Sequence, residues 1–262
     1  MSMVLSERHG SVAILTLNNP AQYNAITEEL LADLRAALDA ALAADGVRAI
    51  LLTGAGKGFC SGAQLGGAMF GRMMGDGDGV TSLLTRSFNP ILELMRAAPI
   101  PIVVGVNGPA AGAGVGLALA GDVVIAARVA HFTLSFARLG AALDGGTSAL
   151  LQRAIGAPRT RALALLGEPL SAEMAAQWGL VWRCVENHEL LEQALATAEK
   201  LAKGPTVGLG LIKSQLELGW SAPFSAVLAD EAGKQARAFV TADLREGATA
   251  FSQKRPPVFV GH

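Results

Sequence analysis

The feature that most constrains this chain is an uncharged run at residues 97–121, which is rich in glycine and interrupted by proline. The run is long enough for a membrane-spanning helix, which needs about 20 apolar residues. Pro99, Pro101 and Pro109 would break such a helix, because each removes a backbone donor in a setting where water cannot compensate. We therefore expect no membrane span, but a buried strand, a loop and a buried helix.

Composition places the chain among globular proteins with one large domain, or a domain with a small appendage, since 51% of its 262 residues are hydrophobic. The formal net charge is -1 and no basic run carries interleaved aromatics, so we expect no nucleic-acid partner. Cys60 and Cys184 are too few for a disulfide framework and indicate free thiols in a reducing compartment. The N-terminus lacks a signal-peptide pattern, which favours a cytoplasmic location.

The order of predicted elements favours an α/β fold with a helical C-terminal part. Apolar runs predict strands at residues 11–18, 47–54, 101–108, 122–127 and 181–186. Helical spacing and end signals predict helices that begin after Thr27, end at Gly156, and begin at Ser171. From Glu189 onward the pattern is helical almost to the end. We divide the chain into an α/β core at 1–188 and a helical part at 189–262.

Three familiar motifs fit poorly or only in part. A dinucleotide fingerprint would begin at Gly112 and Gly114, but its third glycine would fall at Leu117. The stretch "GFCSG" at residues 58–62 matches a cysteine form of the nucleophile elbow, and Asp144 and His188 follow in triad order. A cysteine hydrolase therefore stays open. The four histidines are scattered without metal-ligand spacing, so we predict no metal site.

Two glycine-rich loops, at residues 54–62 and 107–114, each follow a buried strand and lead toward a helix. Such loops expose backbone N–H groups, and small residues allow an anionic oxygen to approach them closely. Two N–H donors that converge from different loops form an oxyanion hole. Tight packing of strand against helix is the alternative explanation of the same glycines.

Four stretches, in order, resemble the crotonase superfamily, the enoyl-CoA hydratase and isomerase group: "NNPAQYNAI", "GFCSGAQL", "PIVVGVNGPAAGAGVGLALAGDVVIAA" and "LGAALDGGTSALLQRAIG". The tail "FSQKRPPVFVG" resembles the ending of the same family. The resemblance implies a right-handed spiral of ββα turns followed by helices that build a homotrimer or hexamer. It also implies acyl thioesters of coenzyme A as substrates, with no separate cofactor because coenzyme A is part of the substrate.

The resemblance implies that the N–H groups of Ala63 and Ala113 polarise the thioester carbonyl. An alanine at 113, where relatives have glycine, keeps the donor but requires a negative φ. Gln64 stands where many relatives have aspartate. The substrate-binding residues that the resemblance implies are Ala25, Ser61, Gly62, Gln64, Leu65, Gly112, Phe136, Lys213 and Lys254.

The resemblance also bears on the reaction. Relatives that hydrate enoyl thioesters use two glutamates, and the matching positions here hold Gly116 and Phe136. Asp144 resembles the aspartate of isomerase-type relatives, which moves protons on the substrate, and hydrophobic burial against Phe136 and Leu139 could raise its pKa. A dehalogenase branch uses the same position as a nucleophile. Alternatively, Asp144 caps the helix that follows it.

The resemblance therefore implies, as the leading function, an enoyl-CoA isomerase with Asp144 as its acid and base. The alternatives are a hydratase or another acyl-CoA reaction using Asp144 alone, a non-catalytic acyl-CoA-binding protein, and the cysteine hydrolase. We expect residues 66–90 to shape the acyl pocket with Met69, Phe70, Met73 and Met74. Lys213 and Lys254 are expected to contact the phosphates of coenzyme A, Lys254 from a neighbouring subunit.

Overall fold

The computed structural model describes residues 2–64, 71 and 74–262. In this part of the chain the strands form two sheets. The strands, in chain order, are β1 Val4–His9, β2 Val12–Leu17, β3 Ala49–Gly54, β4 Ile102–Val106, β5 Ala110–Ala111, β6 Val123–Ala127, β7 His131–Thr133, β8 Pro169–Ser171 and β9 Arg183–Val185. The larger sheet has the order β1-β2-β3-β4-β6-β9 and the smaller one the order β5-β7-β8.

The larger sheet is parallel from β2 to β9, with β1 added antiparallel at its edge. One row of paired residues crosses it and faces one core: Leu15, Leu52, Val104 and Val124. The neighbouring positions Leu51 and Val103 face a second core on the opposite side. Successive side chains of a strand point to opposite faces, so a sheet covered on both faces needs the continuous apolar runs that the sequence shows.

The described residues also form helices. In chain order they are α1 Glu28–Ala43, α2 Gly77–Leu83, α3 Asn89–Ala97, α4 Ala113–Leu119, α5 Thr147–Leu166, α6 Ala172–Trp178, α7 Leu190–Ala202, α8 Thr206–Gly219, α9 Phe224–Phe239 and α10 Ala242–Ser252. Two predicted caps are confirmed: the Thr27 hydroxyl accepts from the Leu30 amide at 3.1 Å, and the Ser171 hydroxyl from the Met174 amide at 3.2 Å. None of the described helices is long and apolar enough to cross a membrane.

Strands β1, β5, β7 and β8 and helices α2 and α3 were not predicted from the sequence, and one predicted helix continues beyond its expected end. The strand β1 was not predicted, because it lies at the sheet edge with only Val4 buried and shows no apolar alternation. The helix that was expected to end at Gly156 is interrupted there by a non-helical conformation (φ 76°, ψ 162°), but helical structure resumes and runs to Leu166. Gly156 ends the first segment as expected, and Pro158 fits the first turn of the second, where its missing donor costs nothing.

The first helix of the C-terminal part belongs to the packed core. Leu190, Ala194, Ala198 and Ala202 of α7 repeat every four residues or so and pack on the sheet residues of the second core. The later helices carry large exposed apolar side chains instead; Phe224 is 76% exposed and Phe251 87%. The division of the chain at residue 188 stays a prediction, and α7 joins the sheet of the first part.

Candidate functional site

The glycines of the uncharged run 97–121 let two other loops approach the short, fully buried helix α4 and the loop before it. A Cβ at Gly108 would overlap the carbonyl oxygen of Lys57, and one at Gly114 would overlap the carbonyl oxygen of Cys60. A Cβ at Gly116 would overlap the carbonyl oxygen of Gly145. Because these glycines have no side chain, the segments around Lys57, Cys60 and Gly145 can lie against α4 and the loop that precedes it.

The side-chain amides of Asn24 and Asn107 hold the first glycine-rich loop in place. Asn24 is fully buried with φ 54°, and its Nδ2 donates to the carbonyl oxygens of Gly58 and Phe59 at 2.9 and 3.1 Å. Asn107 Oδ1 accepts from the Gly54 amide at 3.1 Å, and its Nδ2 donates to the Gly58 carbonyl at 3.1 Å. Sequence reasoning quoted both asparagines within motifs but assigned neither of them this role.

The backbone around Ala63 is fixed by pairing with Ile26. The Ile26 amide donates to the Gly62 carbonyl at 2.7 Å, and the Gln64 amide donates to the Ile26 carbonyl at 3.1 Å. In a parallel pairing of this kind, the groups on either side of Ala63 make the bonds, so the Ala63 N–H points away from Ile26. Ala63 is itself exposed.

The second loop brings Ala113 next to the first. A Cβ at Gly62, which has φ 83°, would lie 2.6 Å from the Ala111 carbonyl oxygen and 3.4 Å from the Ala113 amide nitrogen. Ala113 is the first residue of α4, so its amide has no acceptor within the helix. The positive φ in this loop falls on Gly112, at 52°, and Ala113 is helical. The expected negative φ at Ala113 is confirmed.

Asp144 carries a carboxylate without a partner. Its Oδ1 is buried and makes no hydrogen bond among the described residues. Burial raises the pKa of this carboxyl from 3.8 to about 6. The capping role considered for Asp144 is wrong, because Gly146 occupies the cap of α5 and no side chain there accepts a hydrogen bond.

The Asp144 segment lies against α4. A Cβ at Gly145 would be 3.6 Å from the Ala113 carbonyl oxygen and 3.0 Å from the Phe88 ring. Phe136 is buried, and its ring lies 3.8 Å from the Cβ position of Gly112. Helix α4 and the loop before it therefore connect the neighbourhoods of Ala113, Phe136 and Asp144.

Other expected binding residues line the first loop. The Ser61 hydroxyl donates to the Gln22 carbonyl at 3.1 Å, and Gln64 Nε2 donates to Gln22 Oε1 at 2.9 Å. Ala25 is buried beside them. Leu65 and three of the expected pocket residues, Met69, Phe70 and Met73, lie outside the described residues, whereas Met74 is exposed.

Lys213 requires a correction. Its ammonium is buried, donates to Asp122 Oδ2 at 2.8 Å and to the Met95 carbonyl at 2.7 Å, and lies 3.4 Å from the Ile100 carbonyl. Burial lowers the pKa of Lys213 and raises that of Asp122, so this pair joins α8 to the core at a desolvation cost. All three donors of the ammonium are engaged, so we no longer assign it to coenzyme A phosphates.

Lys254 follows α10 and is exposed, with φ 52°. Its contact with coenzyme A stays a prediction. The described residues contain no group of three or more histidine, cysteine, aspartate or glutamate side chains that could hold a metal ion.

The cysteine hydrolase does not fit this geometry. Cys60 is fully buried, and burial raises the pKa of its thiol to about 12. Reactive cysteines have a lowered pKa and an accessible sulfur. His188 is exposed on a short turn before α7, and no hydrogen bond among the described residues joins it to Cys60.

A cavity of about 580 Å³ lies elsewhere, bordered by Leu150, Arg153, Trp182 and Trp220 among others. The guanidinium groups of Arg96 and Arg153 each lie 4.5 Å from the centre of the Trp220 ring. Neither Asp144 nor the two alanines line this cavity, so we do not place the reaction there.

Comparison with known proteins supports the resemblance seen in the sequence. The family model for enoyl-CoA hydratase/isomerase matches residues 7–262. The chain is 41% identical over 261 residues to 1,2-epoxyphenylacetyl-CoA isomerase of Escherichia coli K12, covering 100% of this chain and 99% of that protein. It is 33% identical over 261 residues to 2,3-dehydroadipyl-CoA hydratase of the same organism, covering 100% of both chains.

Solved structures agree with these sequence relatives. The crystal structure of enoyl-CoA hydratase from Bacillus anthracis superposes with a TM-score of 0.91 at 30% identity, covering 99% of this chain and 100% of that one. The chain belongs to the enoyl-CoA hydratase/isomerase family and has the crotonase fold. The expected α/β class with a helical C-terminal part is confirmed.

Proposed function

We propose that this protein is an acyl-CoA isomerase that shifts a double bond by proton transfer on a thioester enolate. The observation that carries the proposal is the carboxylate of Asp144, whose buried Oδ1 has no partner among the described residues and whose pKa is raised to about 6. A general base works best when its pKa lies near the operating pH. Among the four stretches that carry the family resemblance, Asp144 is the carboxylate with these properties.

The amides of Ala63 and Ala113 supply the electrostatic part of the mechanism. Gly62 brings the two loops into contact, and the Ala113 amide has no acceptor in its own helix. Both N–H groups donate to the thioester oxygen as negative charge develops on it. The loss of one such donor costs about 3–4 kcal/mol in comparable sites.

The proton transfer balances within the substrate. Asp144 takes a proton from the α- or γ-carbon, and the electrons of that C–H bond move into the enolate held by the two amides. The carbonyl then re-forms as the carbon at the other end of the allylic system takes the proton back from Asp144. The double bond moves by one position, and the carboxylate returns to its starting state.

Hydration is the alternative reaction. The glycine at position 116 is evidence against the form of hydration that uses two glutamates. The two-glutamate reaction needs a carboxylate at that position, but a Cβ on Gly116 would overlap the Gly145 carbonyl oxygen. Phe136 occupies the second glutamate position. Water addition would then depend on Asp144 alone to activate water and deliver a proton.

The names of the relatives do not distinguish the two reactions. The relative named 1,2-epoxyphenylacetyl-CoA isomerase is 41% identical, and a relative from Rhodobacter capsulatus named probable enoyl-CoA hydratase is 40% identical. We therefore include ring-bearing acyl groups among the candidate substrates, next to aliphatic enoyl chains.

A spectroscopic assay with a panel of acyl-CoA thioesters tests the proposal. The panel holds trans-2-, cis-3-, trans-3- and dienoyl-CoA thioesters and a ring-bearing acyl-CoA, and it is run with wild type and Asp144→Asn. We expect double-bond migration by wild type that is lost in the variant. Hydration of the trans-2 thioester at an ordinary enzymatic rate would contradict the proposal. Tight binding without turnover of any panel member would instead support the acyl-CoA-binding alternative.

We also propose that the protein assembles as a homotrimer or hexamer. Helices α9 and α10 expose Phe224, Phe239 and Phe251, and α9 has no buried residue within one chain. Large apolar patches of this kind are typical of interfaces between subunits. Light scattering should give a mass three or six times that of the 26.9 kDa chain, and a monomer would contradict the proposal.

A further inference from the structure

The start of helix α5 uses an unusual set of groups. An aspartate just before a helix ordinarily turns its carboxylate onto the first free amides, which lie two or three residues further along the chain. Asp144 lies two residues before the cap residue Gly146 and three before the first helical residue, Thr147, so these are the amides at that distance along the chain. Its main-chain carbonyl accepts the Thr147 amide at 3.1 Å instead. The carboxylate therefore takes no part in capping the helix.

Thr147 adds a second bond to the same carbonyl. Its hydroxyl donates to the Asp144 carbonyl oxygen at 2.7 Å, and the residue is fully buried. Two donors from one residue satisfy both lone pairs of that oxygen. We propose that Thr147 is a positioning residue, whose hydroxyl and amide hold the Asp144 main chain so that the carboxylate stays free for proton transfer rather than capping α5.

The glycines on either side support this arrangement. Gly145 and Gly146 both have positive φ, 58° and 71°, and such a pair reverses the chain between Asp144 and the helix. Helix-capping residues with side-chain bonds usually have an extended conformation, as Thr27 and Ser171 do in this chain. The left-handed conformation of Gly146 therefore separates the carboxylate from the helix start, and Thr147 secures that separation.

The hydroxyl of Thr147 needs this explanation because a fully buried polar group is costly. Valine would fill the same volume without a hydroxyl to satisfy, so packing alone does not require threonine. The bond to the Asp144 carbonyl is the hydroxyl's partner in the structure.

Charged groups nearby do not account for the state of Asp144. Helix α4 carries no titratable side chain, and burial alone raises the pKa of the Asp144 carboxyl. On the other elements around it, Arg138 packs against Gly167, and Arg153 stacks on Trp220; Arg86 lies in the turn that precedes α3. A change in the titration of Asp144 would therefore report on whether its carboxylate has entered the cap.

The inference rests on the proposed function, but it can be tested without turnover. We would label aspartate carboxyl carbons with ¹³C, assign the Asp144 resonance by its absence in Asp144→Asn, and titrate it by NMR in wild type, Thr147→Val and Thr147→Ser. Thr147→Val removes the hydroxyl bond and keeps the amide bond to the Asp144 carbonyl. With this weaker hold we expect the carboxylate to turn toward the amides at the start of α5, which would lower the midpoint of its titration by about one pH unit or more. Thr147→Ser keeps the hydroxyl and should titrate like wild type.

The same variants are compared in the isomerase assay across pH. Thr147→Val should lose about tenfold or more in kcat/KM, with the acidic limb of its profile moved to lower pH, and Thr147→Ser should retain wild-type behaviour. If Thr147→Val does not fold, Thr147→Ala, which relieves any crowding, replaces it. An unchanged midpoint and profile in the folded variant would overturn the inference. A shifted midpoint in a protein that isomerises nothing would instead refute the proposed function and leave the positioning role standing.

Discussion

Replacing Asp144 by asparagine should make the fold more stable above about pH 6, even though it should abolish activity. The carboxyl is partly buried, its Oδ1 has no partner, and burial raises its pKa from 3.8 to about 6. Between these two pH values the folded state binds more protons than the unfolded state. The contribution of Asp144 to the free energy of unfolding is therefore greatest below about pH 4 and is lost as the pH rises through about 6.

The size of this effect on the free energy of unfolding follows from the pKa shift of Asp144. A rise from 3.8 to about 6 corresponds to about 3 kcal/mol, since each tenfold change in proton affinity is worth about 1.4 kcal/mol. Asparagine avoids the buried charge but still buries an amide without a partner. The cost of burying that amide cancels part of the stabilisation. We expect Asp144→Asn to raise the free energy of unfolding by about 1–2 kcal/mol near pH 8, and by little near pH 4.

Urea denaturation of wild type and variant at both pH values measures this difference. Asp45→Asn is the matched control, because Asp45 is an exposed aspartate in the turn after α1 and its replacement removes no buried charge. If Asp144→Asn is less stable than wild type near pH 8, the carboxylate has a stabilising partner, and the reasoning that makes it a poised base is refuted.

Three further predictions concern the scaffold of the site. Asn24→Ala should lower the free energy of unfolding by about 3–4 kcal/mol, because it removes buried hydrogen bonds and leaves alanine in a left-handed backbone conformation. The nearby control Asn18→Ala removes one exposed side-chain hydrogen bond and should lower the free energy of unfolding by less than about 1 kcal/mol. Equal losses in the two variants would contradict this prediction. Gly116→Ala should lower the free energy of unfolding by about 1–3 kcal/mol and reduce activity, because its Cβ would displace the Gly145 carbonyl. Gly116→Glu should not gain hydratase activity. A stable Gly116→Glu enzyme that hydrates enoyl-CoA would refute the close contact between Gly116 and the Gly145 carbonyl. A thiol reagent should label Cys60 only after unfolding, as mass spectrometry of labelled peptides would show, and rapid labelling of the native protein would contradict its burial.

Local signals in the sequence were sufficient for much of the fold. The parallel strands are continuous apolar runs, and the caps Thr27 and Ser171 act on amides three residues away, so both features can be predicted from short segments. The edge strand β1 has no buried alternation to reveal it. Gly156 marks a break between two helical segments, and sequence alone does not tell such a break from a final end.

The site depends more on distant contacts. Lys213 looked available for phosphate because nothing near it in sequence indicates burial, and its partner Asp122 lies 91 residues away. The contact between Gly116 and the Gly145 carbonyl also joins segments whose approach a sequence pattern does not show. Family resemblance identified Asp144, but only the structure shows that its carboxylate is free of the helix cap.

The central claim is that Asp144 removes a proton from the acyl chain, and a deuterium experiment tests it most directly. A cis-3-enoyl-CoA thioester deuterated at its α-carbon is incubated with wild type and with Asp144→Asn, and NMR follows the loss of deuterium from that carbon. The account predicts that wild type removes one of the two deuterium atoms from the α-carbon as the 2-enoyl product forms, and that Asp144→Asn leaves both in place. Loss of deuterium from the α-carbon at equal rates in both proteins would contradict the account.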